Sequence, residues 1–119
     1  MKKLTGVKRT ESPREVIPST PSSSSRKGDL AEYYAVTWLW DNGYEVFKNS
    51  GCNGPIDMIA MDSKGEMILI DVKTAQPDVR YPKNYASGAI RTKHQVKLGV
   101  KVLLFNPTNR ELRFVEHKE

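Results

Sequence analysis

The stretch Glu66 to Lys73 reads EMILIDVK. Ile68, Leu69, Ile70 and Val72 leave few polar places on it, as expected of a central strand covered on both faces. Asp71 and Lys73 interrupt that pattern. A charge inside a buried strand costs on the order of several kcal/mol unless it is paired or bound to a metal. Strand side chains alternate between faces. Asp71 and Lys73 therefore project to one side, roughly 6–7 Å apart, while Ile70 and Val72 point the other way into a core. A second interruption lies just upstream, where Asp57 breaks the apolar run of PIDMIA over Pro55 to Ala60.

The remaining elements follow from periodicity and turn chemistry. Asp29 to Asp41 reads as a helix, with Leu30, Tyr33, Tyr34 and Thr37 on one row and Ala31, Ala35, Trp38 and Leu39 on another. Both rows are rather apolar, which predicts a well-buried helix, and Asn42-Gly43 supplies its stop. Tyr44 to Lys48 and Ile56 to Met61 read as strands, separated by the turn-rich NSGCNGP. Ser63-Lys64-Gly65 is a hairpin turn into the strand Glu66 to Lys73. Thr74 to Gly88 is a long loop containing Pro77 and Pro82, a length that in a small domain usually marks function or mobility. Thr92 and Gln95 have the spacing of a capping box opening a short helix to about Leu98. Val100 to Asn106 and Glu111 to Glu116 are the last two strands. The order α-β-β-β-α-β-β predicts an α/β fold, a mixed central sheet flanked by helices.

A chain of 119 residues is one domain's worth. Residues 1–27 carry seven Lys and Arg against Glu11 and Glu15, which accounts for the whole net charge of +5. That segment also contains PSTPSSSS, a linker composition with little to bury. Residues 1–26 therefore read as a disordered basic arm, either a nucleic-acid-binding tail or a solvated terminus, and residues 27–119 as the folded domain. Cys52 is the one cysteine, and with His94 and His117 it cannot build a zinc cage of the Cys/His kind. No run approaches the roughly 20 apolar residues of a membrane span, and the N-terminus lacks a secretory apolar region. The expectation is a cytoplasmic protein, in a prokaryotic or phage-infected cell, that does not use a membrane.

Between Asp57 and Asp71 the acids Asp57, Asp62, Glu66 and Asp71 face only Lys64. Between Lys73 and Lys101 seven cations face only Asp78. Such an order suits a site that holds a cation and then a phosphate backbone, although charge runs are commonly solvated faces. If the hairpin pairs its two strands, Asp57 lies beside Asp71. Two carboxylates so placed repel unless a cation sits between them, and oxygen ligands select a hard ion, Mg²⁺ with Mn²⁺ as the substitute. A lysine beside that ion can orient or deprotonate a water and stabilise charge on a phosphate oxygen. Asp71 and Lys73 alone would read as a structural salt bridge; adding Asp57 favours phosphodiester hydrolysis.

GPIDMIAMDSKGEMILIDVKTA resembles the core motif of the PD-(D/E)xK nucleases, in which an Asp follows a short turn, a hairpin intervenes, and (Asp or Glu)-x-Lys ends the next strand. RKGDLAEYYAVTWLWDNGYEVF resembles the opening helix of the archaeal Holliday junction resolvase branch, which carries a Glu one turn in, here Glu32. The resemblance spans about residues 26–116. It implies a restriction-endonuclease-like α-β-β-β-α-β core. Asp57, Asp71 and the Val72 carbonyl would be metal ligands, Lys73 would position the water, and Glu32 would complete the site directly or through water. Asp71 stands where the resolvases more often have Glu. Ser50 is the nearest match to a Ser that the branch uses before the motif Asp. Many relatives carry a Gln near the site on the helix after the Lys; Gln95 matches it, and equally matches the capping box with Thr92.

DNA is the expected partner. Arg91, Lys93 and Lys97 are placed to contact phosphates, and His94 reads as exposed rather than catalytic. Trp38 and Trp40 read as core and interface residues, and Glu45 as a solvent-side strand residue. The leading expectation is a branched-DNA endonuclease of resolvase type, acting as a homodimer or higher homo-oligomer that presents two sites to two strands. The alternative is a sequence-specific homing or restriction-type endonuclease, with Arg80, Tyr81, Lys83 and Asn84 of the long loop entering a groove. A DNA-binding module without catalysis is the alternative of another class.

Overall fold

The computed structural model describes residues 24–51, 53–77, 85–86 and 90–117. The first 23 residues of the expected basic arm lie outside them. Helix α1 spans Ser24–Asp41, so it starts before the expected Asp29 and takes in the last residues assigned to the arm. Arg26 and Lys27 are good helix formers, and the cost of one Gly, about 1 kcal/mol at Gly28, does not stop the helix. It ends at the expected place. Gly43 adopts φ +90, and Tyr44 N–H donates to the Leu39 carbonyl at 3.1 Å, closing the last turn as a glycine C-terminus does.

Five strands form one sheet in the order β1-β2-β3-β6-β7. They are β1 (Glu45–Lys48), β2 (Met58–Met61), β3 (Met67–Thr74), β6 (Lys101–Phe105) and β7 (Leu112–Phe114). β1, β2 and β3 pair antiparallel in sequence, β3 and β6 pair parallel, and β7 returns antiparallel to β6. The sheet is mixed, as expected. The crossover between the parallel strands carries α2 (Lys93–Leu98). It also carries a small ribbon of β4 (Gln76–Pro77) and β5 (Tyr85–Ala86). The stretch read as one long loop thus begins and ends its excursion as a paired ribbon. Pro77 is tolerated because so short a ribbon has edges on both sides.

The core lies between α1 and one face of the sheet. Ala35 and Leu39 pack on Met58, Ala60, Ile70 and Leu103, with Val36, Trp38 and Val72 at the margin. The alternation of β3 places Ile70 and Val72 on this face and Asp71 and Lys73 on the other. Two expectations of burial are corrected. Only the stripe Ala31, Ala35 and Leu39 of α1 is fully buried; Tyr33 is 68% and Leu30 40% exposed. The second face of the sheet is covered at Val102 and Leu104 and open toward its edge, where Met67 and Phe47 are exposed. Trp38 does join the core margin, tilted against Phe114, and Glu45 is exposed. No helix among the described residues is long and apolar enough to cross a membrane.

Candidate active site

The candidate residues gather at one end of the sheet, where β3 and β6 finish and β2 begins. β2 and β3 pair with Met58 opposite Ile70, and Asp57 N–H donates to the Ile70 carbonyl at 2.8 Å. One step further along the same ladder, Asp57 faces Asp71. The Val72 N–H donates to Asp57 Oδ2 at 2.7 Å, and Lys73 Nζ stands 2.9 Å from Asp71 Oδ2. The apolar run with two charges and the upstream Asp thus converge as the sequence pattern requires.

The electrostatics of this group are unusual for carboxylates. Asp71 is 8% exposed. Its Oδ2 is sealed from solvent without an aligned hydrogen bond, so the ammonium of Lys73 is the charge that balances it. Burial pushes the Asp57 carboxyl up from its ordinary 3.8 to about 6. The Val72 N–H opposes that rise, whereas a side-chain hydrogen bond with Asp71 and the negative charges of Asp71 and Glu32 reinforce it. Two adjacent carboxylates that resist sharing negative charge form a donor set a hard divalent cation suits. Mg²⁺ takes one or two carboxylates, keeps waters and accepts phosphate oxygens, so the residues present fit it.

Glu32 does not join the pair as a third close ligand. Among the described residues no three acidic, histidine or cysteine side chains converge on one ion-sized space. Glu32 Oε1 instead pairs with Lys48 Nζ at 3.4 Å. The reason is positional: Glu32 comes from α1, and Lys48 at the end of β1 reaches it first. Its charge is still felt at Asp57, which leaves contact through water as the geometry open to it.

Gln95 satisfies both readings in part. It is 6% exposed. Its Oε1 accepts from Thr92 N–H at 3.0 Å and its N–H donates to Thr92 Oγ1 at 3.1 Å, completing the capping box. Its Nε2 donates to the Pro55 carbonyl at 2.9 Å. Gln95 therefore ties α2 to the turn that presents Asp57, with both ends of its amide engaged inside the protein. Ser50 lies exposed in the preceding turn, and the neighbouring Asn49, which sequence reasoning passed over, organises that loop. Its Nδ2 donates to the carbonyls of Asn53 and Ile56 at 2.7 and 2.9 Å, and its Oδ1 accepts from Gly51 N–H at 2.9 Å. Asn49 N–H also donates to the Asp57 carbonyl at 2.9 Å. An Asn two residues before a Gly in a turn-rich stretch is the signal that could have found it.

The basic residues separate into groups. Lys93, His94 and Lys97 are exposed on α2. Arg91 is half-buried and donates from Nη1 to the Val100 carbonyl at 3.1 Å, so part of its guanidinium braces the start of β6. Arg80, Tyr81, Lys83 and Asn84 lie outside the described residues, on the stretch that the β4–β5 ribbon closes at its base.

No protein-family model matches the sequence, and a search of curated proteins finds no match. Among solved structures the fold is similar to that of a bacterial homing endonuclease, I-Ssp6803I. The TM-score is 0.63 at 17% identity, over 78% of this chain and 68% of that one. At that identity the likeness is one of fold, and the fold is an α/β sheet with a helix packed on it.

Proposed function

We propose that the protein is a Mg²⁺-dependent endonuclease that cuts duplex DNA at a recognised sequence, in the manner of homing or restriction-type enzymes. The observation that carries this reading is the convergence of Asp57, Asp71 and Lys73 at one end of a sheet whose fold resembles a homing endonuclease. The likeness favours this alternative over the resolvase branch suggested by the helix motif.

The residues divide the work as follows. Asp57 and Asp71, with the Val72 carbonyl, would hold the ion, which when bound supplies charge neutralisation and Lewis acidity at a phosphodiester oxygen. Lys73, 2.9 Å from Asp71, is placed to orient the attacking water and to stabilise negative charge developing on the phosphate. Gln95 and Asn49 fix the turn that presents Asp57, because a misplacement of about 1 Å can cost roughly 100-fold in rate. Lys93 and Lys97 supply phosphate contacts. The stretch between β4 and β5, with Arg80, Tyr81, Lys83 and Asn84, is the candidate reader of base edges, since sequence is read in the grooves and not at phosphates. A homodimer would bring two such sites to the two strands.

The test is cleavage of a randomised linear duplex library and of a four-way junction, each in Mg²⁺, Mn²⁺ or chelator. The expected result is ion-dependent cutting of linear duplex at a defined sequence. Cutting of the junction alone would restore the resolvase reading. Binding of DNA without cutting in either ion would reduce the protein to a binding module.

A further inference from the structure

A cationic cleft opens at the same end of the sheet as the reaction centre, on the α1 face, across the sheet from Asp71 and Lys73. It has a volume of about 340 Å³ and is lined by Lys27 and Leu30 of α1, Thr74 and Gln76 after β3, Phe105 at the end of β6, and Arg110. Thr74 and Phe105 are register partners. Thr74 follows Lys73 in β3 but projects to the opposite face, so the cleft and the ammonium share the end of one strand on its two sides.

Arg110 is held there by two independent features. It is the one non-glycine residue with positive φ among the described residues, at +66, a conformation that costs of order 1–3 kcal/mol and persists only when its surroundings impose it. The surroundings are visible. Its N–H donates to the Asn106 carbonyl at 2.7 Å, and its guanidinium lies over the rings of Tyr34 and Phe105, 5.3 and 6.0 Å from their centroids. Those rings are themselves stacked at 5.0 Å. A guanidinium held over aromatic rings keeps N–H donors that can fork onto phosphate oxygens. Glu111, the next residue, lines a different cleft with Leu104 and Arg113, so its charge is turned away.

We infer that this cleft is a second backbone-phosphate subsite, in which Lys27 and Arg110 hold the DNA strand next to the phosphate being cut. This rests on the nuclease reading above. A strand carries one phosphate for about every 3.4 Å of duplex axis, so a strand seated at Asp57, Asp71 and Lys73 that continues around the end of the sheet brings further phosphates to the α1 face. The apolar wall of Leu30 and Phe105 would then face sugar. Among the described residues, Arg91, Lys93 and Lys97, which the sequence pattern singled out for DNA contact, do not line this cleft.

The test is duplex binding measured by fluorescence anisotropy across salt concentrations, with Ca²⁺ replacing Mg²⁺. The variants are Lys27→Ala, Arg110→Gly and, as a charge-matched control, Lys64→Ala in the hairpin turn at the opposite end of the sheet. Arg110→Gly removes the guanidinium while accommodating the positive φ, and Lys27→Ala alters an exposed helix residue, so both should fold. Lys27→Ala and Arg110→Gly are each expected to bind about three- to tenfold more weakly at 0.1 M salt. Each should also lower the log–log salt slope by about 0.9, one phosphate contact. Lys64→Ala should leave the slope unchanged. Unchanged slopes in both cleft variants, or an equal loss in Lys64→Ala, would overturn the subsite. A wild-type protein that neither binds nor cuts DNA would instead overturn the nuclease reading.

Discussion

Strand β3 presents two opposite environments at alternate residues. Ile70 is 0% exposed and packs with Ala35, Leu39, Met58 and Leu103. Its neighbour Asp71 is nearly as buried, at 8%, but faces Asp57 and Lys73. One face gains free energy by removing hydrocarbon from water. The other loses some by crowding carboxylates, the kind of cost that clusters at functional sites. On the proposed function, stability and reactivity are carried by the same eight residues on opposite sides, which predicts that they can be separated by mutation.

The largest expected effect is on the charged side. Lys73→Ala should reduce single-turnover cleavage by about 1,000-fold, in line with removal of a group that stabilises developing charge, while DNA binding persists. Retained cleavage would show that the two faces do not divide function in this way. On the apolar side, Ile70→Ala should cost about 3 kcal/mol in a denaturant melt, within the roughly 2–5 kcal/mol range of buried large-to-small changes.

Gln95 sharpens the comparison because it links the site to the scaffold. Gln95→Leu removes the donor to Pro55 and the acceptor for Thr92 N–H. It should cost about 2 kcal/mol of stability and slow cleavage at least about tenfold by loosening the turn before Asp57. Equal cleavage rates after correction for folding would make Gln95 a cap only.

The smallest effect is a pH dependence of the charged face. The folded state raises the Asp57 pKa from 3.8 to about 6. It therefore holds that proton more tightly than the unfolded chain. This contribution favours folding below about pH 4 and is lost as pH rises through about 6. Asp57 is part-exposed, so solvent screening reduces the effect to about 1 kcal/mol. Asp57→Asn should abolish the slope in metal-free thermal melts between pH 4 and 7 and raise stability at pH 7.5 by that amount. Its amide can still accept from Val72 N–H and can donate to Asp71.

Much of this was legible in the sequence. β3 stood out because two charges broke an apolar run, and the pairing with β2 followed from a recognisable hairpin turn. Asp57, Asp71 and Lys73 meet because local alternation and one register fix all three. The parts that were not legible depend on distant partners. Nothing near Glu32 in the chain announces that Lys48 will claim it. Arg110 gave no signal because its aromatic support, Tyr34 and Phe105, comes from α1 and β6. The exposure of Tyr33 was missed because an apolar helix row implies burial only if something covers it, and the sheet has room for one stripe of α1.

The central claim is that Asp57 and Asp71 form a divalent-cation site. Its most direct test is a titration of the isotope-labelled protein with Mn²⁺, followed by paramagnetic broadening of amide resonances. The amides of Asp57, Asp71 and Val72 should broaden first at substoichiometric ion, competition by Mg²⁺ should restore them, and Asp57→Asn should abolish the effect. Broadening centred elsewhere, or none at millimolar ion, would contradict the claim.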